Sequence, residues 1–324
     1  MTHLSHLAWL HLSAAFAGCS GQVMNVGSTG QALTQGSGGP GEPDTIAILS
    51  SPPGAMASDG TALYWTEQAT TNLMEMRVQG GPTTRVAGPC SSQFLAVDST
   101  SVYFMRDGQL YSAPKGSSSA AAVVLSDGSG SLTAAAVSQG KAFWAETPDQ
   151  QPKVIAVKSA GLADRVASLI TQYQSPTVFL PFQMGVTSDT VFLVTPRGPL
   201  TAFSLNGGTP DGGPPDILGS LACGILVSDE SAAYCAPPSG TVTRTTGAGS
   251  TTPLTPLSSG TAAALDATFL YFGDKPASGA MVVKVPKLGG TPTVIAHEEA
   301  TALAVDDTAV YWATPKGYIR RLLK

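Results

Sequence analysis

The chain carries little charge and almost no histidine. Only 12% of its 324 residues are Asp, Glu, Lys or Arg, and the formal net charge is −5. A nucleic-acid surface needs clustered Lys and Arg, so no nucleic-acid partner is expected. Of four histidines, His3, His6 and His11 lie close to the N-terminus, which leaves His297 alone in the body of the chain. A single histidine excludes a multi-His metal centre. It also leaves a Ser-His-Asp arrangement with one candidate base. His297 stands beside Glu298 and Glu299 in a connecting segment, where a solvated loop is the plain reading. No metal and no cofactor is therefore expected. Beyond the N-terminus no stretch approaches the ~18 unbroken apolar residues of a membrane-crossing helix. A sustained apolar period of 3.6 is missing as well, which speaks against helices.

Cysteine is scarce: Cys19, Cys90, Cys223 and Cys235. The first ends "HLAWLHLSAAFAGCS", an apolar run closing in small residues. This run resembles a bacterial lipoprotein signal, with Phe16-Ala17-Gly18-Cys19 as the lipobox. The resemblance implies that residues 1–18 are removed and that Cys19 is diacylated, giving a membrane anchor through an N-terminal lipid. A plain signal peptide is the alternative. The expected location is the outer membrane or cell surface, or otherwise the periplasm or medium. Residues 19–43, Gly- and Ser-rich without apolar periodicity, read as a flexible tether. In an oxidising compartment Cys223 and Cys235 are the candidate disulfide, since they bracket one hairpin. Their register is about three residues out of direct opposition, so a buried free thiol at Cys235 stays open.

What the chain has in plenty is Gly (36), Pro (24) and a repeated phrase. The copies are "MASDGTALYW", "LAVDSTSVYF", "AAVSQGKAFW", "GVTSDTVFL", "VSDESAAYC", "AALDATFLYF" and "LAVDDTAVYW". Their anchor aromatics are Tyr64, Tyr103, Phe143, Phe192, Tyr234, Tyr271 and Tyr311, spaced by 39, 40, 49, 42, 37 and 40 residues. A period of about 41 is that of a four-stranded propeller blade. Each copy divides into four short runs rich in β-branched and aromatic residues, bounded by Gly, Pro, Asp and Ser. The last copy has room for three. The run "DTIAILS" ahead of the first copy matches the missing fourth. The expected fold is therefore all-β: a seven-bladed propeller over 44–324, built from four-stranded antiparallel blades and closed by the N-terminal strand.

"LYWTE" and "VYWATPKGYIRRL" resemble the YWTD repeat of the low-density-lipoprotein-receptor propellers. The phrase "VPKLGGTPTVIA" is similar to secreted propeller lipoproteins of high-GC bacteria, particularly myxobacteria. That resemblance implies the architecture and no particular chemistry.

The turn carboxylates Asp59, Asp98, Asp229, Asp266 and Asp306 read as turn formers that accept backbone N–H groups. The anchor aromatics read as core. Candidate binding residues lie in loops at the upper end: Glu67, Arg106, Glu146, Arg197, Asp274 and Lys275. The 49-residue interval holds an insertion at 171–183, which adds Tyr173, Phe179 and Phe182 as a rim. Catalytic residues are not assigned. The expected function is a non-catalytic binding or scaffold module for a protein, peptide or glycan, monomeric and anchored at the envelope. The alternative is a propeller hydrolase or lyase using Glu67, Glu146 and Asp274 around the central channel.

Overall fold

A computed structural model describes residues 41–324 apart from 92–93, 117–121, 150, 152, 175–180, 196–199, 206–215, 219–222 and 248. The expected signal segment, Cys19, most of the tether, Phe179 and Arg197 lie outside the described residues. Among the described residues every regular element is a strand, and the strands form seven four-stranded antiparallel sheets. The chain is a seven-bladed β-propeller. Blades 1 to 6 span 53–87, 95–124, 130–174, 183–218, 225–257 and 260–296; blade 7 takes 302–323 and borrows Asp44–Ile48 as its outer strand.

The repeated phrase works through strand alternation. Neighbouring side chains on a strand point to opposite faces. The anchor aromatic therefore enters the layer toward the next blade, and the residue after it enters the layer toward the previous one. Tyr64 packs with Phe104, Tyr103 with Trp144, and Phe143 with Leu193. Phe192 packs with Cys235, Tyr234 with Phe272, Tyr271 with Trp312, and Tyr311 with Trp65. One two-residue pattern thus supplies all seven inter-blade layers. Each such large side chain, fully buried, contributes ~2–3 kcal/mol.

The N-terminal strand completes the last blade, as expected. Asp44 stands opposite Arg321, Thr45 opposite Arg320, Ala47 opposite Ile319 and Ile48 opposite Tyr318. Ile46, Ala47 and Leu49 are buried in the layer that holds Trp65 and Tyr311. Arg321 ties the seam: its guanidinium is 3.0 Å from Asp44 Oδ2 and donates to the Val78 carbonyl of blade 1 at 2.9 Å.

The insertion is shorter than the repeat spacing implies. The outer strand of blade 3 runs Ala167–Gln174, so Thr171 to Gln174 is strand rather than loop. Its burial alternates, with Thr171 and Tyr173 inward and Gln172 and Gln174 outward. The register shift between Val157 and Lys158 of the neighbouring strand recurs at the outer strands of blades 1, 5, 6 and 7. Tyr173 is consequently buried, its ring centroid 5.1 Å from that of Phe203, and it does not belong to an exposed rim.

The seam has one position where only glycine fits. Gly317 has φ +80, and a Cβ there would lie 2.4 Å from the Leu49 carbonyl oxygen. Its own carbonyl accepts the Leu49 N–H at 2.8 Å. Gly317→Ala should therefore push the closing strand outward and destabilise the ring by ~1–3 kcal/mol in urea unfolding. An unchanged midpoint would contradict this close approach.

Candidate functional site

In a blade of consecutive antiparallel strands, the turns between strands one and two and between three and four share one end. The connections between two and three, and from four to the next blade, share the other. The outer strand of blade 7 begins at Asp44, paired with Arg321 near the end of the third strand. Asp44 therefore lies at the first, lower end, and the expected binding residues lie at the upper one.

At the upper end the candidates are scattered among blades. Glu67 ends the second strand of blade 1 and accepts the Thr70 hydroxyl. Arg106 ends the equivalent strand of blade 2; its guanidinium sits 4.0 Å over the Tyr111 ring, with Asp107 at 3.8 Å. Glu146 in blade 3 is fully buried. It accepts Trp144 Nε1 at 2.8 Å and Ser129 Oγ at 2.5 Å, and pairs with Lys158 Nζ at 2.8 Å. Asp274 in blade 6 is also buried, and its Oδ1 accepts the backbone N–H groups of Ser258, Ser259 and Lys275 at 3.0, 2.7 and 2.9 Å. The Lys275 ammonium is exposed and 2.8 Å from Glu299. Phe182 is half-buried against the layer of Phe192 and Cys235. His297 is exposed, as a solvated loop residue would be.

The structure does not gather Glu67, Glu146 and Asp274. None of them lines the central channel, which has a volume of about 640 Å³. The inner strands of all seven blades wall that channel with Ala, Val, Leu, Ile, Met and Phe, plus a few Ser, Thr, Gln and Gly. No described lining residue is ionisable. Among the described residues no cluster of three His, Cys, Asp or Glu could hold a metal ion. Buried carboxylates with two or three donors are what satisfied structural charges look like.

Three tryptophans at equivalent positions show how the upper end differs from blade to blade. Trp144 faces Lys158 across the strand pair, and the carboxylate between them is Glu146. Trp312 faces Arg320, and Glu298 bridges them: Oε2 accepts Trp312 Nε1 at 2.9 Å and Arg320 Nε at 3.1 Å. Trp65 faces Met74, and its indole N–H has no partner among the described residues. Lys158 and Arg320 were not singled out from sequence. Their signal was a cation inside an otherwise apolar strand, in "KVIAVK" and "YIRRLL".

The lower end holds a repeated clasp. Asp59 accepts the Thr61 and Ala62 backbone N–H groups at 2.8 and 2.7 Å, the turn role expected of it. Its second oxygen also meets Lys115 Nζ of blade 2 at 2.5 Å, and that ammonium lies 5.8 Å from the Tyr64 ring centre. Asp229, Tyr234 and Lys287 repeat the arrangement between blades 5 and 6. Asp266, Tyr271 and Lys324 repeat it between blades 6 and 7, with the ion pair at 2.6 Å. Between blades 7 and 1 the third strand offers no lysine, and Ser58 Oγ donates to Asp306 at 2.7 Å instead. Burial pushes these carboxyls up, but the lysine and turn hydrogen bonds outweigh it and hold Asp59 and Asp266 down at about 2. Burial and the adjacent carboxylate push the Tyr64 and Tyr271 hydroxyls up. The recurrent lysine after the third strand was the legible sign.

Cys223 and Cys235 are disulfide-bonded, with Cα atoms 5.5 Å apart. Leu226, not Cys223, stands opposite Cys235. The chain folds back ahead of the inner strand, where the Gly224 N–H donates to the Ala236 carbonyl at 3.0 Å, and this brings Cys223 over its partner. The remaining described cysteine, Cys90, is buried between blades 1 and 2, and burial pushes its thiol up to about 11.

No protein-family model and no curated protein matches the chain. Among solved structures it is similar to the computationally designed Ika8 protein, with TM-score 0.57 and 13% identity over 86% of this chain and 98% of that one. It is also similar to the WD40 β-propeller domain of Doa1, with TM-score 0.59 and 12% identity over 86% of this chain and 95% of that one. These likenesses bear on fold alone.

Two substitutions test the structural roles. The clasps' contribution should be complete above about pH 4, the free aspartate range, and be lost as pH falls toward 2. Lys115→Met should cost ~1–3 kcal/mol at neutral pH, between exposed and buried pairs, and raise the pH of acid unfolding. An unmoved acid midpoint would remove the clasp from the account. Glu146→Gln should destabilise by ~1–3 kcal/mol in urea, because the half-buried Lys158 ammonium loses one of its two carboxylates and Trp144 its charged acceptor. A neutral effect would mean that Glu146 is free for other work.

Proposed function

We propose that the chain is a non-catalytic binding or scaffold propeller, held at the cell envelope by a lipid on Cys19, that offers its upper end to a protein, peptide or glycan. The observation that carries this reading is the direction of the closing strand. Asp44 sits at the lower end, locked to Arg321 and through it to Val78 of blade 1. A tether over 19–43 would leave from that end. The upper loops would then face away from the membrane, free to meet a partner.

The chemistry of the upper end supports binding over catalysis. Propeller hydrolases and lyases need carboxylates turned toward one substrate. Both oxygens of Glu146 and Oδ1 of Asp274 instead accept from donors of their own blade or of the loop leading into it. Arg106, Asp107, Lys275 and Glu299 leave charge of both signs at least partly in water there, around a channel wall whose described residues are not ionisable. Mixed charge around a rigid ring suits recognition of a surface with its own mixed polarity.

The test is crosslinked capture from native envelopes with the full chain and the double variant Arg106→Glu, Lys275→Glu. Lys275 is exposed and Arg106 partly so, and urea unfolding of the variant checks that the ring remains folded. The wild type should retain a defined partner set that the variant loses. An identical set from both proteins would contradict upper-end binding. Cys19→Ser should in parallel move the protein from the membrane to the soluble fraction; a protein still in the membrane would remove the lipid anchor from the proposal.

A further inference from the structure

A polar cavity of about 520 Å³ opens on the upper rim where blades 6 and 7 meet. Its volume is that of a small-molecule or sugar site. The floor is built from blade 7. Tyr318 and Arg320 alternate with buried Ile319, so both turn toward blade 6. Arg320 stands in a row between Trp312 on one neighbouring strand and Thr45 on the other. Glu298, from the connection between the blades, fixes the guanidinium with contacts of 3.0 and 3.1 Å, and Thr45 Oγ1 accepts a third N–H. A planar donor held by three partners is pre-oriented, so little entropy is lost when a ligand meets it.

In blade 3 the corresponding cation is neutralised within its own cluster. There Lys158 reaches both Asp127 and Glu146, Glu146 is fully buried, and the cluster closes on itself. At blade 7 the same Trp–carboxylate–cation group faces open space. Tyr318 beside it is 38% exposed and lines the cavity. Glu299 and Lys316 complete the mouth.

We propose that this cavity binds a neutral saccharide. The charges decide the ligand class. An anion would meet Glu298 and Glu299, and a cation would meet Arg320 and Lys316. A sugar hydroxyl is both donor and acceptor. Adjacent hydroxyls can therefore donate to the carboxylates and accept from the guanidinium and ammonium at once, with charge-assisted strength. The C–H face of a pyranose is weakly positive and suits the negative face of the Tyr318 ring. This inference rests on upper-end binding and selects the glycan among the partner classes named above.

The experiment is calorimetric titration of the full chain with a panel of neutral oligosaccharides: cello-, xylo-, malto- and N-acetylated chito-oligosaccharides. At least one should bind with a dissociation constant of ~1 mM or tighter. Tyr318→Ala should weaken that binding at least tenfold while the protein still unfolds in one cooperative thermal transition, and Tyr318→Phe, which keeps the ring face, should retain the binding. Arg320→Lys, which keeps the charge and loses the fork, should weaken it at least fivefold. Absence of heat with every panel member would overturn the saccharide site, and so would equal affinity in the Tyr318→Ala variant. If titration fails while envelope capture still depends on Arg106 and Lys275, the saccharide site falls and upper-end binding stands. If titration succeeds while capture is unchanged by those two substitutions, the broader partner surface falls and the seam site stands.

Discussion

The pairing of Asp44–Ile48 with Tyr318–Leu323 is the contact on which the rest of the ring depends. A blade of three strands would leave an open edge and an unfilled layer against blade 1. The borrowed strand removes both at once, because Ile46, Ala47 and Leu49 enter the same layer as Trp65 and Tyr311. The two ends of the domain are thereby held in one sheet, and each blade has a neighbour on both faces. Stability then becomes a property of the circle, in contrast to an open repeat array, where it is nearly a sum over neighbours. Arg321 shows how local the joint is, since one guanidinium links the outer strand of blade 7 to blade 1.

Some of the sparse charges serve the same task. At the lower end Asp–Tyr–Lys clasps join blades 1 to 2, 5 to 6 and 6 to 7. At the upper end Lys158 and Arg320 meet carboxylates beside buried tryptophans. These groups are partly or fully removed from water, so each is retained only where a partner of opposite sign is fixed by the fold. Departures from this rule mark the places where something else can bind. The seam between blades 6 and 7 is such a place: its charged group is ordered but uncovered.

Much of the architecture was legible from seven phrases. Two neighbouring aromatic or apolar residues after an Asp turn fix the two faces of a strand, and the missing fourth run fixes closure. Asp59 and its equivalents were readable as turn formers because the offset to the accepted N–H groups is local. What was not legible depends on contacts between blades. Nothing local says that Lys115 reaches Asp59 across 56 residues, or that Glu146 points inward to Trp144 and not outward to a ligand. Tyr173 was assigned to a loop because spacing was weighed above the in–out alternation of "TQYQ", which the strand Ala167–Gln174 follows. The disulfide escaped register arguments because the chain folds back before the strand starts, at Gly224.

The claim that closure sustains the whole ring is tested most directly by hydrogen exchange on the full chain with residues 44–48 deleted. Blades 3 and 4 lie across the ring from the seam and share no layer with the deleted strand. If the ring is one cooperative unit, amide protection should fall in those blades along with blades 7 and 1. Protection that falls in blades 7 and 1 alone would contradict the account.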